Sequence, residues 1–163
     1  MNPDGTGERD GQLEHATVVE IDGSGVIIRG PSGSGKTSLA IELMQRCKAN
    51  GIASALVADD YALLSADPVS GRLRADVPER IAGLIELRGC GFVAVAPDRF
   101  KPTTQVALAV LLTDRTGAER VADPDRTVRL AGVAVPELAL LSNSPVSAAH
   151  AALGWLDLAG RIL

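Results

Sequence analysis

The stretch Gly30-Pro31-Ser32-Gly33-Ser34-Gly35-Lys36-Thr37 constrains this chain more than any other. It satisfies the pattern G-x-x-x-x-G-K-[ST] at every fixed position. Such a loop works only where a strand ends and a helix begins, and both flanks are legible. Val26-Ile27-Ile28 precedes it as a strand, and a helix from about Lys36 to Lys48 follows, with Leu39, Leu43 and Met44 at helical spacing. Asn50-Gly51 ends that helix as a left-handed cap would. Gly33 and Gly35 allow the backbone to turn tightly and approach phosphate closely. Successive N–H groups then converge as an anion nest, reinforced by the positive end of the helix. Lys36 supplies a mobile charge to the β- and γ-phosphates, and the Thr37 hydroxyl a ligand for Mg2+. The expected nucleotide-binding set is therefore Gly30, Pro31, Ser32, Gly33, Ser34, Gly35, Lys36, Thr37 and Ser38.

The rest of the chain places this loop in a setting rich in strands. Residues 1 to 12 read as a disordered leader, and residues 13 to 163 as one domain. His15 to Ile21 is a strand joined through Asp22-Gly23-Ser24-Gly25 to Val26–Ile28, a hairpin leading into the loop. Ile52 to Ala58 is a strand ending at Asp59-Asp60. Tyr61 to Ser65 and Arg72 to Ala75 form a second hairpin around Asp67-Pro68-Val69-Ser70-Gly71. Pro78 to Gly83 reads as a short helix, and Leu84 to Arg88 and Phe92 to Val95 as short strands about Gly89-Cys90-Gly91. Gln105 to Thr113 has the composition of a buried strand, and Asp114 to Asp125 is a polar excursion. Thr127 to Leu130 and Val133 to Val135 are weak strands. A last helix is expected over about Val146 to Leu163. Strands outnumber helices and tight turns join several of them, so the expectation is an α/β domain with a mixed sheet and few helices, not regular β-α-β alternation.

Composition narrows the partners. Aromatics are 2% of a chain that is 46% hydrophobic, so the core must be built from Leu, Val, Ile and Ala, and Trp155 reads as a packing residue. The net charge of −4 and the lack of any basic block argue against nucleic acid. No stretch approaches the length of a membrane span, and the first residues lack the basic end and apolar run of a signal peptide. Cys47 and Cys90 form no CxxC pair or Cys/His cluster, which points to reduced thiols and a cytoplasmic protein.

Two further constellations carry chemistry. Asp59-Asp60 closes an apolar strand after the loop helix, where a carboxylate can hold a metal, directly or through water. Its neighbour can accept a proton from a hydroxyl. Glu86-Leu87-Arg88-Gly89-Cys90-Gly91 puts an acid and a base two apart on a strand beside glycines. By itself that pattern fits a surface ion pair beside a turn better than a site. His15 alone fits a structural histidine, and His150 on the last helix is assigned nothing. Arg115, Arg120, Arg126 and Arg129 cluster in and beside the polar excursion, as solvated charges or as contacts to nucleotide or an acidic partner.

The order His15-Ala16, the loop, Leu56-Val57-Ala58-Asp59-Asp60 and Ile81-Ala82-Gly83-Leu84-Ile85-Glu86-Leu87-Arg88-Gly89-Cys90-Gly91-Phe92 resembles the catalytic domain of bacterial HPr kinase/phosphorylase. It is most similar to the short single-domain form of alphaproteobacteria. The resemblance implies a P-loop kinase domain of the HPr kinase/phosphoenolpyruvate carboxykinase-like type. It implies ATP and Mg2+ as cofactors and phosphorylation of a serine on HPr, the phosphocarrier of the sugar phosphotransferase system. It assigns Asp59 as the base towards that serine, with Lys36 and His15 at the phosphate, and Thr37, Asp60 and Glu86 at the metal. Arg88 would support the Glu86 loop. Full-length members carry an N-terminal domain and a late Pro-Gly-Arg-Asn segment, neither of which is found here. Phosphorylase activity is accordingly expected to be weak or absent, and homo-oligomerisation is possible but not implied. The alternatives are a kinase of the same fold acting on another protein or peptide, a nucleotide-binding regulatory module without transfer, and a small-molecule kinase. The last would need a lid, and residues 114–126 are the one candidate.

Overall fold

The computed structural model describes residues 11–163. Most of the expected leader, residues 1–10, lies outside the described residues. Its last position does not match the expectation: Gln12–Glu14 forms a strand, β1, paired antiparallel with Ala62–Leu64. The strands that follow are β2 (Thr17–Ile21), β3 (Ser24–Arg29), β4 (Ser54–Ala58), β5 (Ala62–Ala66), β6 (Leu73–Asp76), β7 (Leu84–Leu87), β8 (Gly91–Ala94), β9 (Thr103–Thr113), β10 (Thr127–Leu130) and β11 (Val133–Leu141). The helices are α1 (Lys36–Ala49) and α2 (Pro145–Trp155). Both expected hairpins form, β2–β3 and β5–β6.

One mixed sheet runs β1-β5-β6-β9-β3-β2-β4, and β7–β8 is a separate two-stranded ribbon. β3 and β11 lie on opposite sides of β9, both parallel to it. On its β11 side β9 also receives β6, antiparallel, at Thr103–Gln105. The ends of β3, β4, β9 and β11 and the start of β2 therefore share one edge of the sheet. Open α/β sheets bind ligands at that edge.

Strand alternation buries both faces of the sheet. Val19, Ile21, Val26, Ile28, Leu108, Val110 and Leu112 pack against Leu39, Leu43, Ala149 and Leu153 of the two helices. Val18, Ile27, Ala109, Leu64, Leu73 and Val135 pack together on the other face. Among the described residues no aromatic ring is in the buried core, which is built chiefly from Leu, Val, Ile and Ala as expected.

Three expectations at the C-terminal end change. β11 does not stop at Val135 but continues through Pro136 to Leu141. Pro136 lies where β11's partner changes from β10 to β9, so the missing N–H interrupts no parallel ladder. The last helix ends at Trp155, and Asp157 has φ 59°, which breaks it before a short 3-10 turn. Trp155, expected to be a packing residue, is 41% exposed, and Leu163, expected to end the helix, is 96% exposed beyond it.

Gly25 shows how closely the sheet is built. A Cβ there would lie 2.6 Å from the Gln105 carbonyl oxygen and 2.7 Å from Thr104 Cγ2, at the point where the β3–β9 register shifts. Backbone cannot yield as a flexible side chain can. Gly25→Ala is expected to cost about 2–3 kcal/mol, seen as a fall in melting temperature of roughly 5–10 °C. An unchanged melting temperature would show that β3 and β9 can separate locally at little cost.

Candidate active site

The edge gathers a cavity of about 620 Å³, in the range of small-molecule sites. Its lining includes Ser32, Gly33, Gly35, Lys36, Thr37 and Ser38 from the loop, His15 and Asp60 from the β2/β4 side, and Glu86, Arg88 and Asn143. The sequence-derived residues thus converge on one space, although they come from distant parts of the chain. Gly30, Pro31 and Ser34 form the loop but not the cavity wall, and Asp59 lies behind it, 4% exposed.

The loop adopts the conformations its glycines permit. Gly30 and Gly35 have φ of 147° and 94°. A Cβ on Gly30 would meet the Leu112 carbonyl and Ser34 Oγ, both at 2.8 Å. Lys36 is buried, and its Nζ donates to the carbonyls of Gly30 (3.0 Å) and Pro31 (3.2 Å). The loop's own oxygens therefore occupy the cation. Burial lowers the Lys36 pKa, against the opposing pull of the Asp60 and Asp59 charges. Ser34 Oγ is buried without a hydrogen-bond partner. At the root of the loop, Arg29 pairs with Glu14 and with buried Glu137, each at 3.1 Å, tying the end of β3 to β1 and β11.

Asp59 and Asp60 follow the end of β4 and take different partners, because the left-handed φ of 72° at Asp60 turns the chain between them. Asp59 Oδ1 accepts hydrogen bonds from the hydroxyls of Thr17 and Thr37, both at 2.9 Å. Its Oδ2 accepts the Glu86 backbone N–H at 2.9 Å. Asp59 thus links β2, the phosphate loop and the β7–β8 ribbon. Asp60 is half-exposed in the cavity, where its Oδ1 lies 2.8 Å from His15 Nε2. The Tyr61 ring lies 5.4 Å from the His15 ring.

The residues fit a nucleotide with Mg2+. The glycine cradle and the nearby cation suit a phosphate chain. Among the described residues no cluster of three or more His, Cys, Asp or Glu forms a ready metal cage. Thr37, Asp60 and Glu86 border the cavity instead, as befits an ion that takes few protein ligands and completes its shell with phosphate and water.

Other expectations resolve differently. The arginine cluster does not reach the cavity: Arg126 bridges Glu119 at 3.1 Å and Glu137 at 3.0 Å, and Arg129 donates to the Gly132 carbonyl. The lid candidate 114–126 contributes no residue to this cavity. Part of it lines a separate groove with β11, α2 and the exposed Trp155. His150 is exposed beside Arg46. Of the thiols, Cys47 is buried and Cys90 exposed.

Two contributors escaped the sequence reading. Thr17 is an ordinary strand residue by pattern. Asn143 follows a strand whose full length was not visible, and only the Ser142-Asn143-Ser144-Pro145 composition marks a turn there.

The model of the HPr Serine kinase C-terminal domain matches residues 10–150. The chain belongs to that family. An HPr kinase/phosphorylase of Streptococcus thermophilus is 31% identical over 131 residues, which cover 76% of this chain and 40% of the relative. One of Limosilactobacillus reuteri is 32% identical over 133 residues, covering 77% and 39%. The chain thus spans about 40% of the length of these curated HPr kinase relatives. The structure of the Hpr(Ser) kinase/phosphatase from Coxiella burnetii matches 91% of this chain and 93% of its own, with a TM-score of 0.71 and 26% identity. The mixed sheet and two helices are thus the fold of the HPr kinase C-terminal domain. Among the described residues no helix is long and apolar enough to cross a membrane.

Proposed function

We propose that this chain is an ATP- and Mg2+-dependent protein-serine kinase whose acceptor is HPr, acting in the cytoplasm. The observation that carries the reading is the double link at the loop. Thr37 donates to Asp59, while Asp60 and His15 face the same cavity as Lys36. Phosphoryl transfer asks for positioning and charge neutralisation at this kind of place. The names of the curated relatives support HPr as acceptor.

In this reading Lys36 leaves the Gly30 and Pro31 carbonyls for the phosphates, and the loop amides hold the chain in line. Thr37, Asp60 and Glu86 would hold Mg2+, which supplies charge neutralisation at the phosphate oxygens. Asp59 takes the proton of the attacking serine. Its Oδ1 now serves two hydroxyl donors. Once Thr37 turns towards the metal, one acceptor position becomes free for the substrate hydroxyl. Asp60 supports a second reading of the base, because it borders the cavity, is half-exposed and is backed by His15. Phosphorolysis is expected to be weak, since the chain lacks the Pro-Gly-Arg-Asn segment.

Incubation with ATP, Mg2+ and purified HPr should yield phosphoserine on HPr, and added inorganic phosphate should reverse little of it. Transfer to a different protein, with HPr untouched, would move the acceptor. ATP binding without transfer to any candidate would favour a regulatory module.

A further inference from the structure

The cavity is lined from both sides of β3, and the chemistry above uses only one of them. Asp59, Asp60 and His15 reach the loop from the β2/β4 side of β3. On the opposite side, beyond β9, β11 ends and the chain turns into α2. Asn143 is the residue of that turn that lines the cavity. Neighbouring strands are about 4.8 Å apart, so β4 and β11, each two strands from β3, bracket the loop at roughly equal distances. A nucleoside triphosphate whose γ-phosphate sits by Asp60 and His15 has the Asn143 side of the loop open to its nucleoside.

Asn143 is held there firmly. It has a left-handed φ of 55°, a conformation Asn tolerates better than other residues with a Cβ. Its backbone N–H donates to the Ser34 carbonyl at 2.9 Å. Its Oδ1 lies 3.1 Å from where a Cβ on Gly35 would be, so the side chain rests directly over the loop. The backbone bond fixes the residue and leaves the carboxamide without a hydrogen bond to any described residue. That group therefore offers one acceptor and two donors to a ligand.

We infer that Asn143 reads the nucleobase and makes the site selective for adenine. The N6/N7 edge of adenine presents an amino donor beside a ring-nitrogen acceptor, which matches a carboxamide in both positions. Guanine presents two acceptors on the corresponding edge and would leave the Asn143 oxygen facing an oxygen or nitrogen lone pair. The inference rests on the nucleotide-kinase reading, because it takes the transferred phosphate to lie at the Asp60 end.

The test measures dissociation constants for Mg-ATP, Mg-GTP and Mg-tripolyphosphate with the unaltered chain, Asn143→Gly and Asn143→Asp. Glycine accepts the positive φ and keeps the N–H bond to Ser34, so the loop stays braced. The unaltered chain is expected to prefer ATP to GTP by about tenfold, the discrimination a bidentate base contact supplies. Asn143→Gly should weaken ATP to the level of GTP and leave tripolyphosphate unchanged. Asn143→Asp should lose the ATP preference as well, since a carboxylate has no donor for the ring nitrogen. Equal loss of ATP and tripolyphosphate in Asn143→Gly would overturn the inference and make Asn143 a brace of the loop. An unaltered chain that binds all three without preference would also overturn it, leaving the phosphate site standing. Failure of the unaltered chain to bind any of the three would overturn the kinase reading itself.

Discussion

Lys36→Met is expected to lower phosphoryl transfer by about 10²–10³-fold, the usual loss when a preorganised charge at the transition state is removed. The same variant should melt no lower than the unaltered chain. Lys36 is buried, and burial is the main cause of its depressed pKa. The folded chain therefore carries a penalty for the charged amine. That penalty is fully present below the lowered folded value and fades as pH rises towards that of an ordinary lysine. Methionine keeps the length of the side chain and removes the penalty. The carbonyls it deserts, those of Gly30 and Pro31, belong to residues that are not buried, so water can replace the amine. The unaltered chain should also gain stability with rising alkalinity more steeply than the variant. A large fall in melting temperature for Lys36→Met would show that the two carbonyl bonds hold the loop together.

The second large effect separates the paired aspartates. Asp59→Ala removes the acceptor for two threonine hydroxyls and one backbone N–H in a site that is 4% exposed. Buried donors without partners cost about 1–3 kcal/mol each, so a total loss of roughly 3–5 kcal/mol is expected after relaxation and water entry, together with loss of activity. Asp59→Asn does not restore the site fully, because its single carbonyl oxygen cannot accept from both the Glu86 N–H and the threonine hydroxyls. Asp60→Ala breaks one half-exposed contact with His15 and should change stability by less than about 1 kcal/mol. If it nevertheless abolishes transfer at saturating Mg2+, the base is Asp60. If it mainly raises the Mg2+ requirement, Asp60 holds the metal and Asp59 remains the base. Denaturant melts and Mg2+ titrations of the three variants give both readouts.

Much of this site was legible because its logic is local. A strand, eight residues and a helix define the loop, and the apolar run up to Asp59-Asp60 announces its end by charge. What the sequence concealed depends on long-range pairing. Thr17 matters only because β2 lies against β4, and a strand threonine carries no mark of that neighbour. Taken alone Glu86 and Arg88 fit a surface pair, and only the family resemblance put Glu86 at the metal. They border the cavity because Asp59 holds the Glu86 backbone, a bond between residues far apart in sequence. The C-terminal third was misread for a different reason. Pro136 interrupts the pattern that would have revealed β11, and apolar residues continue past the end of α2 at Leu156, Leu158, Ile162 and Leu163. With β11 cut short, Asn143 had no strand end to belong to. Trp155 was judged by residue type, but the helix turns it towards a groove instead of the core.

The division of one side of β9 between β6 and β11 bears on how the protein is made. β9 joins β3, which precedes it by some eighty residues, and β11, which is synthesised only after it. Non-local pairings of this kind form slowly, since chain closure must come before the contacts that reward it. During synthesis the phosphate loop emerges early, yet the strand on one side of β3 and the turn that covers Gly35 arrive much later. The nascent chain is therefore unable to complete its nucleotide pocket until residue 143 has left the ribosome. Nucleotide present at that moment would favour the finished arrangement over its precursors by mass action, making the ligand a late participant in folding.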